Sequence, residues 1–294
     1  MKMESLRADG ATILFPAEER HAAERIGGAM ERAARLLDGH WGLRPPRGLH
    51  VCVMTSWLGS TLACAPVAVR PWLALTLPLW GPRVRRTWPL AGGWAMRMGW
   101  RPVICVKPPR LIATADPSIG ARIFLRQPDL ERKVESIVCH ELTHACTVHL
   151  RLPSWLGEGL AMVMTDRFTG GPTVRPETVG TLALAPMATN SRHYPKVATG
   201  NADALVALYV AGYWRVRTLE ETRPELFPRL LGRGSPPRDG DWLALIARAL
   251  DMNRKDFPRW LDDQVADRFA RDGGAVNSPS APSGSARTPV RSWA

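Results

Sequence analysis

The residues best suited to chemistry are two histidines and a glutamate in one short stretch, His140-Glu141-Leu142-Thr143-His144. The surrounding pattern predicts a helix, in which residues four apart lie about 40° from each other and one turn apart. Both imidazoles can therefore reach one metal ion. Glu141 lies beside that face, where its carboxylate can contact a water molecule at the metal without being a ligand, as a general base requires. The stretch predicts a catalytic metal site.

A third metal ligand is expected in the next predicted helix. Glu158 lies near its start, within the sequence W-L-G-E-G-L-A at residues 155–161. Helices joined by a short break can pack as a hairpin, which would place Glu158 opposite His140 and His144. Two imidazoles and one carboxylate leave the fourth position of a tetrahedral zinc ion open, as in catalytic sites. We therefore predict Zn²⁺ as the cofactor. Cys139 and Cys146 point away from this face and are expected to be buried packing residues.

The elements that must position these residues have mixed periodicity, which predicts an α+β protein. A single domain is expected over residues 11–271, and the Gly-, Ser- and Pro-rich residues 272–294 are expected to form a disordered tail. Residues 170–200 are expected to be an irregular connection. Short strands are expected at 11–15, 49–54 and 121–125. Helices are expected at 16–37, 128–150, 155–167, 202–219, 224–231, 241–250 and 256–271.

A tryptophan- and arginine-rich segment at about residues 55–117 differs from its surroundings. No acidic residue occurs between Asp38 and Asp116, and six of the twelve tryptophans lie within residues 57–100. Membrane interfaces select this combination, because indole is amphipathic and arginine pairs with anionic headgroups. We favour a folded, soluble insert within the domain, and keep interfacial insertion and a transmembrane helix as alternatives.

Composition and charge limit the class of protein. With 45% hydrophobic and 22% charged residues, a mainly disordered chain, a collagen-like repeat and a small disulfide scaffold are excluded. The net charge of +12 indicates anionic partners. An anionic membrane surface contacted through residues 55–110 is kept as one such partner, and nucleic acid is disfavoured. Five cysteines without framework spacing and a charged N-terminal stretch predict a cytoplasmic protein, with a peripheral membrane position as the alternative.

The two linked motifs resemble those of the gluzincin metallopeptidases, in particular peptidase MA-like proteins with H-E-x-x-H followed by a W-L-x-E-G-L-A helix. The resemblance covers about residues 120–270, and more loosely 11–54. It implies a zincin-like fold, in which a small mixed sheet lies over the active-site helix and a mainly helical lobe follows. Residues 209–212 are similar to the Y-x-x-G element of gluzincin aminopeptidases, which implies that Tyr209 stabilises the oxyanion, with Tyr213 as the alternative.

The sequence departs from the family pattern in two places. Gly157 stands where relatives often have asparagine. Gly28-Ala29-Met30-Glu31 resembles the element with which aminopeptidases hold a substrate's N-terminus, but it lies far before His140 inside a predicted helix. Aminopeptidase activity is therefore not supported. Asp166 is a candidate partner for the second nitrogen of a zinc-bound histidine.

The sequence thus predicts a zinc metallopeptidase acting on a peptide or protein substrate. His140, His144 and Glu158 hold the metal, Glu141 is the general base, and Tyr209 stabilises the oxyanion. Residues 123–125 are expected to form an edge strand along which an extended peptide lies. The alternative is a membrane-surface or nucleic-acid binding protein that retains a zincin fold without peptidase activity.

Overall fold

The structure of the protein is a computed structural model, which describes residues 3–8, 10–115, 117–185, 187–194 and 202–276. Within these residues, five strands form one mixed sheet in the order β1-β2-β3-β5-β4. The three central strands are parallel, and β1 and β4 run antiparallel at the two edges. The strands are β1 (Met3–Ala8), β2 (Ala11–Pro16), β3 (His50–Val53), β4 (Gly93–Met98) and β5 (Arg101–Val106).

Helices cover the sheet and form a lobe beside it. A 3₁₀ helix at Pro176–Leu184 interrupts the connection that was expected to be irregular, and residues 195–200 of that connection lie outside the described part. The α-helices are α1 (Arg20–Trp41), α2 (Trp57–Cys64), α3 (Arg70–Thr87), α4 (Pro109–Ala113), α5 (Gly120–Ile123), α6 (Leu130–Thr147), α7 (Ser154–Thr169), α8 (Ala202–Thr222), α9 (Leu226–Leu231), α10 (Trp242–Ala249) and α11 (Phe257–Val276).

The main core lies between the sheet and helices α1 and α6. The central strands alternate, so that Ile13, Val51 and Ile104 face these helices. Arg25 ties α1 to α6 through an ion pair with Glu135, at 2.6 Å. A smaller core on the opposite face contains Cys52, Cys105 and Cys64 of α2. Both faces of the central strands are therefore covered, as parallel strands require.

Two glycines bring α7 and α8 of the helical lobe into direct backbone contact. A Cβ at Gly159 of α7 would overlap the carbonyl oxygen of Gly212 on α8, and a Cβ at Gly212 would overlap the carbonyl oxygen of Trp155. Only glycine allows this close approach. The two helices are consequently held at a separation that no larger side chain at these positions permits.

The structure confirms the mixed α and β composition but corrects several boundaries. Strand β1 was not predicted, because its charged residues read as a polar leader, although charges are common on edge strands. Helix α1 continues to Trp41 and ends at Gly42, whose φ of 67° closes the helix. Helix α11 extends to Val276, past the expected start of the tail, and residues 277–294 lie outside the described part.

The Trp- and Arg-rich segment at about residues 55–117 contains α2 and α3 and supplies β4 and β5 of the sheet. One further prediction was wrong. Residues 121–125 are not a strand: α5 occupies most of the run, and Phe124 makes a single antiparallel bridge to Val174. An apolar run of this length does not distinguish a helical turn from a strand.

Candidate metal centre

Helix α6 carries three of the predicted site residues and begins as the sequence indicated. The Asp129 side chain accepts hydrogen bonds from the backbone N–H groups of Glu131 and Arg132, at 3.0 and 3.1 Å. This cap fixes the start of the helix. Its buried face packs on β4, β5 and α1, so that His140 and His144 are held on the face that lines a cleft.

Helix α7 starts differently from the prediction. It begins at Ser154, one residue before the predicted start, with Pro153 at the N-cap position, and the Ser154 hydroxyl donates to the carbonyl of Ser191, at 3.2 Å. The break before it contains Arg151 with a φ of 52°, which turns the chain back toward α6. The helical hairpin expected from the sequence therefore forms and brings Glu158 to the histidines.

His140, His144 and Glu158 form a group that can hold a metal ion, with one ligand atom from each lying within 4.8 Å of the others. The two Nε2 atoms are 3.1 Å apart, and the Glu158 oxygens lie 3.3 Å from Nε2 of His140 and 3.5 Å from Nε2 of His144. Ligands at about 2.0–2.1 Å from a tetrahedral zinc ion are about 3.3–3.4 Å from each other. The spacing of the two nitrogens and the carboxylate oxygens thus fits such an ion.

One buried oxygen of this group makes no hydrogen bond within the described part of the protein, although Nε2 of His140 lies 3.3 Å from it. Glu158 is 3% exposed, and its Oε2 atom has no hydrogen-bond partner among the described residues. A buried carboxylate oxygen without a donor is costly. A cation shared with the two imidazoles would remove this cost, which is independent support for a metal site.

The electrostatics of the group follow from burial and mutual attraction. Burial lowers the pKa of His144, but the Glu158 carboxylate outweighs this effect and raises the pKa to about 9. Burial alone would raise the pKa of Glu158, and the two histidines instead hold it well below its usual range. Burial also raises the pKa of Glu141, despite the opposing effect of His140 and His144. The site therefore favours a positive charge beside Glu158.

Strand β4 runs alongside Glu141, which is 7% exposed. A Cβ at Gly93 would lie 3.0 Å from Cγ of Glu141 and 2.8 Å from Cγ2 of Ile137, so glycine allows β4 to approach α6. The backbone N–H of Ala95 donates a hydrogen bond to the Glu141 carboxylate. The edge strand beside the site is therefore β4, and not residues 123–125 as predicted.

The cleft above the group has a volume of about 440 Å³ and includes Tyr209 of α8. The Tyr209 hydroxyl faces the Glu158 carboxylate, and burial together with that charge raises the tyrosine pKa well above its usual value. Tyr213, the alternative, instead donates a hydrogen bond to Asp166 at 2.7 Å. Asp166 also accepts from Thr173, so its carboxylate is engaged away from the histidines.

The cleft includes residues that were not identified from the sequence, among them Tyr194, Arg151 and Arg192. The Tyr194 hydroxyl also faces Glu158, and burial raises its pKa. All three lie in irregular segments, where no periodicity indicates which side chains meet. Cys139 and Cys146 are buried free thiols, as predicted, and the Cys139 thiol contacts the carbonyl of Met164.

The sequence was compared with models of protein families and with curated proteins. No family model matches it, and no curated protein matches it. The interpretation of the site therefore depends on the positions and chemistry of its side chains.

Proposed function

We propose that this protein is a zinc-dependent metallopeptidase of the gluzincin type. The observation that carries the proposal is the convergence of His140, His144 and Glu158 on one point, with Glu141 beside them in the same cleft. A zincin-like fold is supported by the sheet that covers α6, by the edge strand along the cleft and by the helical lobe that supplies Glu158.

The donor set favours zinc over other common cations. Two imidazole nitrogens and one carboxylate oxygen suit Zn²⁺, whereas Mg²⁺ and Ca²⁺ select oxygen ligands. When bound here, zinc would supply Lewis acidity for a scissile carbonyl and lower the pKa of a water molecule to about 7.

Glu141 has the position that a general base needs. It takes the proton of the attacking water as the oxygen bonds to the scissile carbon, and it delivers that proton to the amine nitrogen as the C–N bond breaks. The hydrogen bond from Ala95 orients its carboxylate. Its burial in the wall of the cleft keeps bulk water from competing for the proton.

Two further elements of the cleft bind and orient the substrate. The hydroxyl of Tyr209 donates a hydrogen bond to the oxygen on which negative charge develops. Strand β4 pairs on one side with β5, and its other edge can add an extended peptide through backbone hydrogen bonds. Such pairing holds a substrate in register without selecting its sequence.

The decisive experiment compares Glu141→Gln with the wild type in a peptide-library assay and in zinc analysis by mass spectrometry. The variant keeps the side-chain volume but has no base. We expect it to bind one zinc per chain and to lose at least about 100-fold in turnover.

Glu131→Gln is the matched control, because Glu131 lies at the exposed start of the same helix and pairs with Arg25 at 2.9 Å. It should retain activity. Full activity in Glu141→Gln would contradict the mechanism. A zinc-loaded wild type that cleaves no peptide would instead favour the binding protein that retains a zincin fold without activity.

A further inference from the structure

Helix α3 and its neighbours expose large apolar side chains to an unusual extent. Val67 is 74% exposed, Trp72 63%, Leu75 79%, Leu79 84% and Trp100 64%. Single exposed apolar residues are common on soluble proteins, but a contiguous group marks an interaction surface. We call these five residues the apolar patch.

The apolar patch is continuous because two segments of the chain meet beneath it. Val67 directly precedes α3, while Trp100 lies in the turn between β4 and β5. A Cβ at Gly99 of this turn would lie 3.2 Å from Cγ2 of Val69, and Arg101 donates a hydrogen bond to the carbonyl of Cys64 at 3.3 Å. The turn therefore packs against the segment Cys64–Val69 that leads into α3.

Basic residues border the apolar patch and have no acidic partners. Arg83 and Arg86 follow Leu79 on the same face of α3, and Arg85 and Arg97 are also exposed. Among the described residues none of these four arginines forms an ion pair, and the sequence contains no Asp or Glu from residue 39 to residue 115. The charged side chains that this segment contributes to the surface are therefore all basic.

The order of residues along α3 matches the depth of a membrane interface. Leu79 follows Trp72 by seven positions, or about 10 Å along the helix, and Arg83 lies about 6 Å further on. An interfacial helix buries its apolar face about 5–10 Å into the boundary between the headgroups and the acyl chains. A tilted α3 can insert its first half while Arg83 and Arg86 remain at the level of the phosphates. Among the described helices, none is long and apolar enough to cross a bilayer.

We propose that α3 and the β4–β5 turn dock on a bilayer surface that carries anionic headgroups. Leu75 and Leu79 argue against a nucleic acid as the partner. Nucleic-acid bases stack on aromatic and guanidinium planes, and leucine offers no such plane. A second copy of this chain would bring arginines against arginines, which costs free energy at close range. An anionic bilayer satisfies both the apolar and the basic residues.

This inference goes beyond the proposed function and does not depend on catalysis. Strand β4 lines the cleft through Trp94 and Met96 and ends at the turn that carries Trp100. Docking would therefore place the cleft close to the membrane surface.

The test is cosedimentation of the full chain with phosphatidylcholine vesicles, with and without phosphatidylglycerol. We expect binding only when phosphatidylglycerol is present, and weaker binding as salt is added. Leu75→Asn with Leu79→Asn should weaken binding at least about 100-fold. Arg83→Gln with Arg86→Gln should weaken it about 30-fold.

Matched controls separate docking from general effects of apolarity and charge. Leu125→Asn removes a leucine that is 45% exposed outside the apolar patch, and Arg229→Gln with Arg248→Gln removes two exposed arginines of the helical lobe. Both controls should bind as the wild type does. Circular dichroism of every variant establishes that it is folded.

Three results would overturn the proposal. The first is failure of the wild type to bind phosphatidylglycerol vesicles, and the second is equal loss in the control variants. The third is that the wild type forms a dimer in light scattering, or a complex with duplex DNA, and that the double substitution of Leu75 and Leu79 abolishes this association but leaves vesicle binding unchanged. None of these results bears on Glu141, so failure here leaves the peptidase proposal to its own experiment.

Discussion

At the scale of single residues, the role proposed for Tyr209 can be tested separately from that of the neighbouring Tyr213. It faces Glu158, whereas Tyr213, one helical turn later, donates to Asp166. Removing the Tyr209 hydroxyl should lower kcat by about 100- to 1000-fold with little change in KM, because the hydrogen bond forms only as charge develops. Steady-state kinetics of Tyr209→Phe measure this split.

Tyr213→Phe provides the control for this substitution. It removes a hydrogen bond to Asp166 and a contact with Arg217, so it should lower stability and leave kcat within a few-fold. Equal losses of kcat in the two variants would argue against an oxyanion role for Tyr209.

The sequence predicted that His140, His144 and Glu158 come together because helical periodicity is local information, and the group they form can hold a metal ion. His140 and His144 share a face whatever the tertiary structure, and a short break places Glu158 on the returning helix. Tyr194 and Arg192 could not be found in this way. Their positions depend on the path of an irregular segment around the start of α7, which no spacing rule determines.

At the scale of elements, the contact between Gly159 and Gly212 sets the distance between Glu158 and Tyr209. Gly212→Ala would place a methyl group against the Trp155 carbonyl, so α8 must move away from α7. We expect a loss of roughly 1–3 kcal/mol in the free energy of unfolding, as in other overpacked sites, together with reduced kcat. Urea unfolding measures the stability change.

Gly39→Ala is the matched control within a helix. Nothing lies within 4 Å of a Cβ at Gly39 in α1, so alanine should stabilise the protein by up to about 1 kcal/mol through its higher helix propensity. A neutral Gly212→Ala would mean that the α7–α8 contact is looser than the structure indicates.

The elements differed in how well the sequence predicted them. Helix α6 has a side-chain cap at Asp129, and α7 follows a break at Pro153 and ends at Gly170, whose φ is 78°. Strand β4 lacks such signals, because its glycine, tryptophan, methionine and arginine are chosen by contact with α6 and by the exposed edge, not by strand propensity. Strand β1 was missed for a similar reason, since the polar residues of an edge strand do not alternate clearly with apolar ones.

At the scale of the whole molecule, we expect metal binding to increase stability, because the residues that could hold the metal lie on two separate helices, α6 and α7. Chelation leaves the Glu158 carboxylate buried with an unsatisfied oxygen. We expect a lower melting temperature with EDTA than with zinc. With free zinc at a thousand times its Kd, the difference corresponds to about 4 kcal/mol in the free energy of unfolding. Differential scanning fluorimetry measures the shift.

His144→Ala should show no zinc-dependent shift, and Mg²⁺ should not replace zinc, since imidazole is a poor ligand for Mg²⁺. Identical melting temperatures with EDTA and with zinc would mean that the group does not hold this metal.

The mixed α and β class was predictable from periodicity, whereas the joining of residues 55–117 to the sheet was not, because strand pairing is a long-range property.

The pairing of β3 with β5 also has a consequence for the way the chain acquires its structure. The two strands are neighbours in the sheet, but residues 54–100, including α2 and α3, separate them along the chain. During synthesis the exposed leucines of α3 leave the ribosome before the strand that completes the sheet exists. Contacts so distant in sequence form slowly, so refolding should be slow and prone to aggregation at high protein concentration.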